Sequence, residues 1–283
     1  MFGNKNYYCL VAGLKEYTLD ADTKGFDATE IVAEILEELA AKDAKCVRLL
    51  YSYYDCENII ALRSGRNFYN ELGNIAQEEL ENELTEPKSL PSRMARVVKA
   101  FAVAQDEQAE ENEYAVGLNL EKGFERLLWE AYYDECAHSS SAFLKAWAAF
   151  DRTLRNISAA AVARTLDRSI DSVTVGKGDI VEALERSSAA DFGLRGELPY
   201  IDAVIAAVND ESNMVEKEHK IDLIRWEQAV NLAAQSYFDI NAILSYLVRL
   251  NIVARWAKLD EKRGHEMFKR ILAELDSKKL INK

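Results

Sequence analysis

Apolar positions recur at helical spacing along almost the whole chain. Ile31, Ile35, Leu36 and Leu39 follow Asp27-Ala28-Thr29-Glu30, an acceptor side chain with a glutamate three residues later, which is the spacing of a capping box. A helix is expected from there to about Lys42. A second pattern runs from about Cys56 through Ile59, Leu62, Leu72, Ile75 and Leu80, kinked or broken around Gly65 and closed before Pro87. Its polar face carries Glu71, Glu78, Glu79, Glu81 and Glu83. Pro91 is placed to open a third helix, in which Met94, Val97, Val98 and Phe101 are spaced by three and four. The charged stretch Asp106 to Glu113 reads as its solvated end or a loop.

Leu120 to Trp147 is strongly apolar and predicts two helices meeting near Ser139-Ser140-Ser141, with another helix from Asn156 to Leu166. Ser172-Val173-Thr174-Val175-Gly176-Lys177-Gly178 is β-like or turn-rich, a candidate flexible loop between subdomains. Beyond it the pattern predicts a helix from Asp179 to Ser187, punctuation at Gly193, Gly196 and Pro199, and a helix through Ile201, Val204, Ile205 and Val208. Helices of about Asn213 to Tyr237, Asp239 to Lys258 and Glu261 to Asp276 finish the chain. The fold class this predicts is all-α, a set of stacked helical bundles in which each helix hides one stripe. Trp226, Tyr237, Phe238, Tyr246 and Trp256 are expected in the core of the last two long helices.

Composition sharpens that picture. Only three prolines and 12 glycines interrupt 283 residues, so long helices are expected. A hydrophobic content of 49% beside 29% charged residues is that of a folded chain rather than a disordered one. The net charge of -13 points away from nucleic acid, which needs clustered lysine and arginine, and towards a basic partner. No apolar run reaches the ~18–20 residues that cross a bilayer, and Met1 to Leu14 lacks a small-residue cleavage site, so a cytoplasmic protein is expected. Cys9, Cys46, Cys56 and Cys136 are far apart among apolar neighbours and read as buried free thiols.

An aromatic-Asp pair recurs at Tyr54-Asp55, Phe150-Asp151 and Phe238-Asp239, each leading into an apolar helical stretch; Tyr133-Asp134 lies outside that register. An aspartate there can cap a helix while the aromatic packs as a staple. Three related units are suggested within one all-helical region of residues 1–283, with possible subdomains 1–115, 116–192 and 193–283.

Asp55-x-x-Asn58 followed by Leu62-Arg63, and Asp151-x-x-Leu154-Arg155-Asn156, resemble the helix starts of the C subunit of the archaeal-type rotary ATPases, known as the d subunit in the vacuolar enzymes. Tyr246-Leu247, Ala254-Arg255-Trp256-Ala257-Lys258-Leu259-Asp260 and Gly264-His265-Glu266-Met267-Phe268 resemble that family's C-terminal helices. Tyr7-Tyr8-Cys9-Leu10-Val11-Ala12-Gly13-Leu14 resembles a divergent bacterial branch associated with such ATPases. The resemblance implies a three-part, funnel-like adaptor without catalytic residues or cofactor, standing on the membrane rotor ring and receiving the central stalk. Its implied partners are rotor-ring and stalk proteins of the ATPase, with no nucleic acid and no small-molecule substrate. Its role would be in ATP synthesis or hydrolysis coupled to ion or proton transport. The chain is shorter than typical members and has interruptions at Ser172–Gly178 and Gly193–Pro199.

The competing chemistry lies in two Glu-x-x-His tetrads, Glu135-Cys136-Ala137-His138 and Glu216-Lys217-Glu218-His219. On helices this spacing sets a carboxylate and an imidazole on one face, and with Glu130 and Glu227 it suggests a ferritin-like di-metal site. Against it, residues 216 to 220 are charged at every position, and His138 precedes three serines. Gly176-Lys177-Gly178-Asp179 lacks the phosphate-loop spacing and reads as a turn before an Asp-capped helix. Arg152, Arg155, Arg164 and Arg168 form either an interface strip or local pairs with Asp151 and Asp167, the latter favoured.

Overall fold

The computed structural model describes residues 5–19, 26–105, 111–210 and 214–258, and every regular element among them is helical. The all-α expectation is met. The predicted Glu261–Asp276 helix lies outside the described residues, as do Asp106 to Glu110 of the charged stretch.

Two short helices come first, α1 (Tyr8–Gly13) and α2 (Ala28–Glu38). The side chain of Asp27 accepts from the main-chain N–H of Thr29 and Glu30, so the aspartate caps the helix as its spacing predicts. The helix stops at Glu38, not Lys42, because Leu39 and Ala40 are extended and α3 (Ala41–Arg63) starts at once. The predicted Cys56–Leu80 helix is also two pieces. At the end of α3, Arg66 N–H donates to the Ala61 carbonyl and Gly65 N–H to that of Leu62, while Gly65 has φ +66°. This is a Schellman motif, which closes the helix on a left-handed glycine. A loop follows to α4 (Leu80–Thr85), and α5 (Ser92–Val103) opens directly after Pro91.

The predicted serine junction separates α6 (Phe124–Ala137) from α7 (Ala142–Thr165), which also absorbs the stretch from Asn156. Ser141 caps α7 by accepting from Leu144 N–H. α7 ends as α3 does: Arg168 N–H donates to the Ala163 carbonyl and Asp167 N–H to that of Arg164, with Asp167 at φ +51° in the place of glycine. Then come α8 (Asp179–Arg186), α9 (Ile201–Asn209), α10 (Met214–Leu232) and α11 (Ile240–Lys258). Asp179 is the first residue of α8 rather than its cap, which is Gly178. Element order partly repeats: α3 and α7 are each followed by a loop, a short helix and two more helices before α7 and α11 respectively.

One contiguous core runs through these units, with Val47, Leu128, Leu144, Leu154, Ile157, Leu184, Leu244 and Leu247 fully buried. Cys46, Cys56 and Cys136 are buried free thiols as expected, whereas Cys9 is exposed on α1. Of the aromatic group, Tyr246 is buried and Trp226 and Trp256 are half-buried, but Tyr237 is 72% exposed and Phe238 39%. Both belong to the turn between α10 and α11, which helical spacing alone does not reveal. No described helix is long and apolar enough to cross a membrane.

Candidate functional site

The aspartates of the aromatic-Asp pairs play three different parts. Asp239 does cap α11, accepting from the N–H groups of Asn241 and Ala242. Asp55 instead sits inside α3, buried, and accepts from Ile75 N–H at 3.1 Å and Asn74 Nδ2 at 2.7 Å. Burial pushes its carboxyl above the ordinary range although these donors oppose the shift. Asp151 sits inside α7, buried, and accepts from the Tyr133 hydroxyl at 2.8 Å and from Arg225 Nε at 3.3 Å. The helix-start reading therefore fails at Asp55 and Asp151. Each carboxylate faces neighbours packed on its helix, and sequence spacing cannot distinguish that from a cap.

A sharper recurrence is Asn-Ile-x-Ala, at Asn58-Ile59-Ile60-Ala61, Asn156-Ile157-Ser158-Ala159 and Asn251-Ile252-Val253-Ala254, one copy in each of α3, α7 and α11. Its isoleucines are all buried. In the first two copies the asparagine amide pairs with both main-chain groups of one residue in the loop beyond its helix. Asn58 Nδ2 donates to the Asn70 carbonyl at 2.9 Å and its Oδ1 accepts from Asn70 N–H at 2.7 Å. Asn156 holds Val175 in the same way at 2.9 and 2.8 Å. The Ser172–Gly178 stretch is therefore not a free hinge: Thr174 and Val175 are buried, and the Thr174 hydroxyl donates to Glu185.

The third asparagine has no such loop among the described residues. Its Oδ1 accepts from the buried Tyr51 hydroxyl at 2.8 Å, and its side chain lines a cavity of about 660 Å³. Helices α3, α7 and α11 contribute walls to this cavity, together with α6, α10 and the loop after α3. Tyr53, Tyr54, Phe68, Tyr69, Tyr132 and Trp147 make it aromatic. Glu57 also lines it, and burial raises its carboxyl pKa against the opposing pull of Asn70, Arg155, Arg255 and Arg225.

A chain of charges crosses one wall. Asp222, 1% exposed, accepts from Arg225 at 3.1 Å, Arg255 at 3.0 Å and Trp256 Nε1 at 2.9 Å. Arg225 continues to Asp151, and Arg255 to Glu218. Burial works against the charge on Arg225, but Asp151, Tyr53 and Asp222 more than offset it, so its pKa is raised. The Tyr133 phenol, itself raised mainly by burial, stays protonated and donates to Asp151. The network ties α6, α7, α10 and α11 together at fixed distances, and breaking a buried pair of this kind is costly because it strands the partner charge.

The arginines of α7 do not pair with Asp151 and Asp167. Arg155 lies over the Trp129 ring and 3.7 Å from Glu125, and Arg164 donates to the carbonyls of Ser187 and Ala189 over the Phe192 ring. Arg152 packs beside Gly176. They brace loops and neighbouring helices.

The two Glu-x-x-His tetrads are not gathered. Glu135 accepts from Arg93 N–H and side chain and from the Ser92 hydroxyl, while His138, on an exposed helix end, is bonded to the Asp134 carbonyl. Glu130 is held by Lys122 and Arg126, Glu216 pairs with Lys220, and His219 packs edge-on against Trp256. Among the described residues no three His, Cys, Asp or Glu side chains are placed to hold a metal.

A family model described as "Protein of unknown function (DUF2764)" matches residues 4–279. No curated protein matches the chain.

Proposed function

We propose, for a chain that belongs to the DUF2764 family and takes no activity from that membership, a non-catalytic adaptor role in the central stalk of an archaeal/vacuolar-type rotary ATPase. The observation that carries this reading is the convergence of α3, α7 and α11, each bearing Asn-Ile-x-Ala, on one shared cavity. A repeated long-helix unit arranged around a socket suits a part that must receive another protein and transmit torque through packing. The resemblance of Tyr246-Leu247 and Ala254–Lys258 in α11 to that family's C-terminal helices points the same way, whereas the resemblance to its helix starts does not carry over to Asp55 and Asp151, which lie inside α3 and α7.

Rotor-ring proteins would lie on one side and central-stalk proteins on the other, so the chain would act at the cytoplasmic face of a membrane complex without entering the bilayer. The charge of -13 suits basic loops on the ring, and attachment through them weakens as salt rises. Stiffness comes from the clamped loops and the charge chain along the cavity wall. Affinity purification of the tagged chain from its own membranes in mild detergent tests the role. Co-elution of ring and stalk proteins supports it; their absence from the eluate, with an intact ATPase in the same extract, refutes it.

A further inference from the structure

The carboxylates that line the cavity are unequally provided for. Asp151, Asp222 and Glu218 are committed to Arg225 and Arg255 in the charge chain along one wall. Lys258, the third cationic side chain of the lining, lies 3.9 Å from Glu71. Glu57 has no ion pair among the described residues, and its hydrogen bond from Asn70 Nδ2 is 3.5 Å long, at the far limit of such a contact. A carboxylate accepts at about four lone-pair positions, so most of that capacity is open to the cavity. Tyr53 and Tyr54 precede Glu57 by four and three positions, which sets the three side chains on one face of α3. Both tyrosines line the cavity, and their hydroxyls have no hydrogen-bond partner among the described residues. Burial keeps both phenols protonated, so their oxygens are neutral acceptors beside the carboxylate.

We propose that this cavity binds a small organic ammonium ion, its charged nitrogen against Glu57 and the hydroxyls of Tyr53 and Tyr54, its hydrocarbon part against Phe68, Tyr69 and Trp147. An anion is disfavoured, because four carboxylates face three cationic side chains across the lining and each of those three is already held. A wholly apolar guest would cover Glu57 without giving it a partner, which is costly for a charged group. A bare metal ion lacks ligands, since no three His, Cys, Asp or Glu side chains among the described residues are placed to hold one. An organic ammonium ion satisfies both halves of the lining: it donates to the carboxylate, and aromatic rings attract its charge as they exclude water. Burial disfavours the charge on Glu57, and a bound cation offsets that penalty. The volume of about 660 Å³ is that of a small-molecule site, and a ligand of this class takes up only part of it. The inference goes beyond the adaptor role and does not rest on it.

Isothermal titration calorimetry of the purified full chain at pH 7 tests the site. The probes are 2-phenylethylammonium, choline and spermidine, set beside their uncharged counterparts 2-phenylethanol, 3,3-dimethylbutan-1-ol and octane-1,8-diol. At least one ammonium probe should bind saturably at one site, and its uncharged counterpart about tenfold or more weaker. Glu57→Gln keeps the size of the side chain and removes its charge, and should weaken the same probe about tenfold or more. Glu81→Gln removes an exposed charge from α4 outside the cavity and should leave the affinity within about twofold. A thermal melt of each variant separates lost binding from lost folding, and Glu57→Gln is expected to melt no lower than the wild-type chain. Uptake without saturation, or equal weakening by Glu57→Gln and Glu81→Gln, would show general attraction of cations to an acidic chain and overturns the site. Equal affinity for an ammonium probe and its uncharged counterpart overturns it too, as does the failure of all three ammonium probes to bind.

Discussion

Asn156 and Val175 are joined by two hydrogen bonds that copy a strand pair, side-chain amide to main chain, at 2.9 and 2.8 Å. Asn156 is 1% exposed and Val175 3%, so neither main-chain group of Val175 has water as an alternative. The apolar isostere Asn156→Leu leaves that N–H and carbonyl unsatisfied, at about 1–3 kcal/mol for each group. Denaturant unfolding should show a loss of about 2–5 kcal/mol, whereas the exposed Asn82→Leu should change stability by less than about 0.5 kcal/mol. A small effect at Asn156 would mean that the loop after α7 holds itself in place.

Gly73 lies against the matching clamp in α3. A Cβ there would meet Asn58 Nδ2 and Asp55 Oδ1, both at 2.8 Å. Neither atom can retreat without giving up a bond to Asn70 or Ile75. Gly73→Ala is expected to cost about 1–3 kcal/mol in chemical unfolding, as overpacking does. Gly196→Ala, with nothing near its would-be Cβ, is expected to be neutral or slightly stabilising.

The Schellman endings of α3 and α7 place different residues at the left-handed position. Gly65 takes the left-handed position without strain, while Asp167 takes it with a side chain at φ +51°. Asp167→Gly should therefore raise stability by about 0.5–1 kcal/mol, seen as a higher Tm. A lower Tm would show that Asp167 makes a compensating contribution outside the helix end.

Glu57 gives a pH prediction with a definite sign. Burial raises its folded-state pKa above the roughly 4.3 of an unfolded glutamate, so the folded chain holds the proton to higher pH. The stabilising contribution is complete below the unfolded value and is lost as pH rises through the folded one. At neutral pH the wild-type chain thus carries the cost of desolvating this carboxyl, to which Asp55 adds in the same direction. Glu57→Gln should have the higher Tm at pH 7, with the advantage shrinking as pH falls towards about 4. An advantage that grows on acidification would reverse the assignment.

The helices were readable because burial stripes, few breakers and the Asp27 cap all act locally. Their ends were less so: Gly65 announces a stop, but Asp167 makes the same stop with a residue that usually signals a helix start. The cavity wall was hidden for a different reason. Asp151, Asp222 and Arg225 look like surface charges in the sequence, and only packing makes them a buried chain. The aromatic-Asp pairs drew attention to the right helices through the wrong residue. Asn-Ile-x-Ala stands in α3, α7 and α11, yet its meaning depends on loops 12 and 19 residues downstream of Asn58 and Asn156, a distance at which spacing carries no geometric information.

The adaptor role is tested most directly from the opposite end of the complex, by purifying the rotary ATPase through a tag on its nucleotide-hydrolysing head and imaging it by electron cryomicroscopy. Density between the rotor ring and the stalk into which α3, α7 and α11 fit, with stalk density entering their shared cavity, is the predicted result. A complete, ion-pumping ATPase in which a different protein fills that position would contradict it.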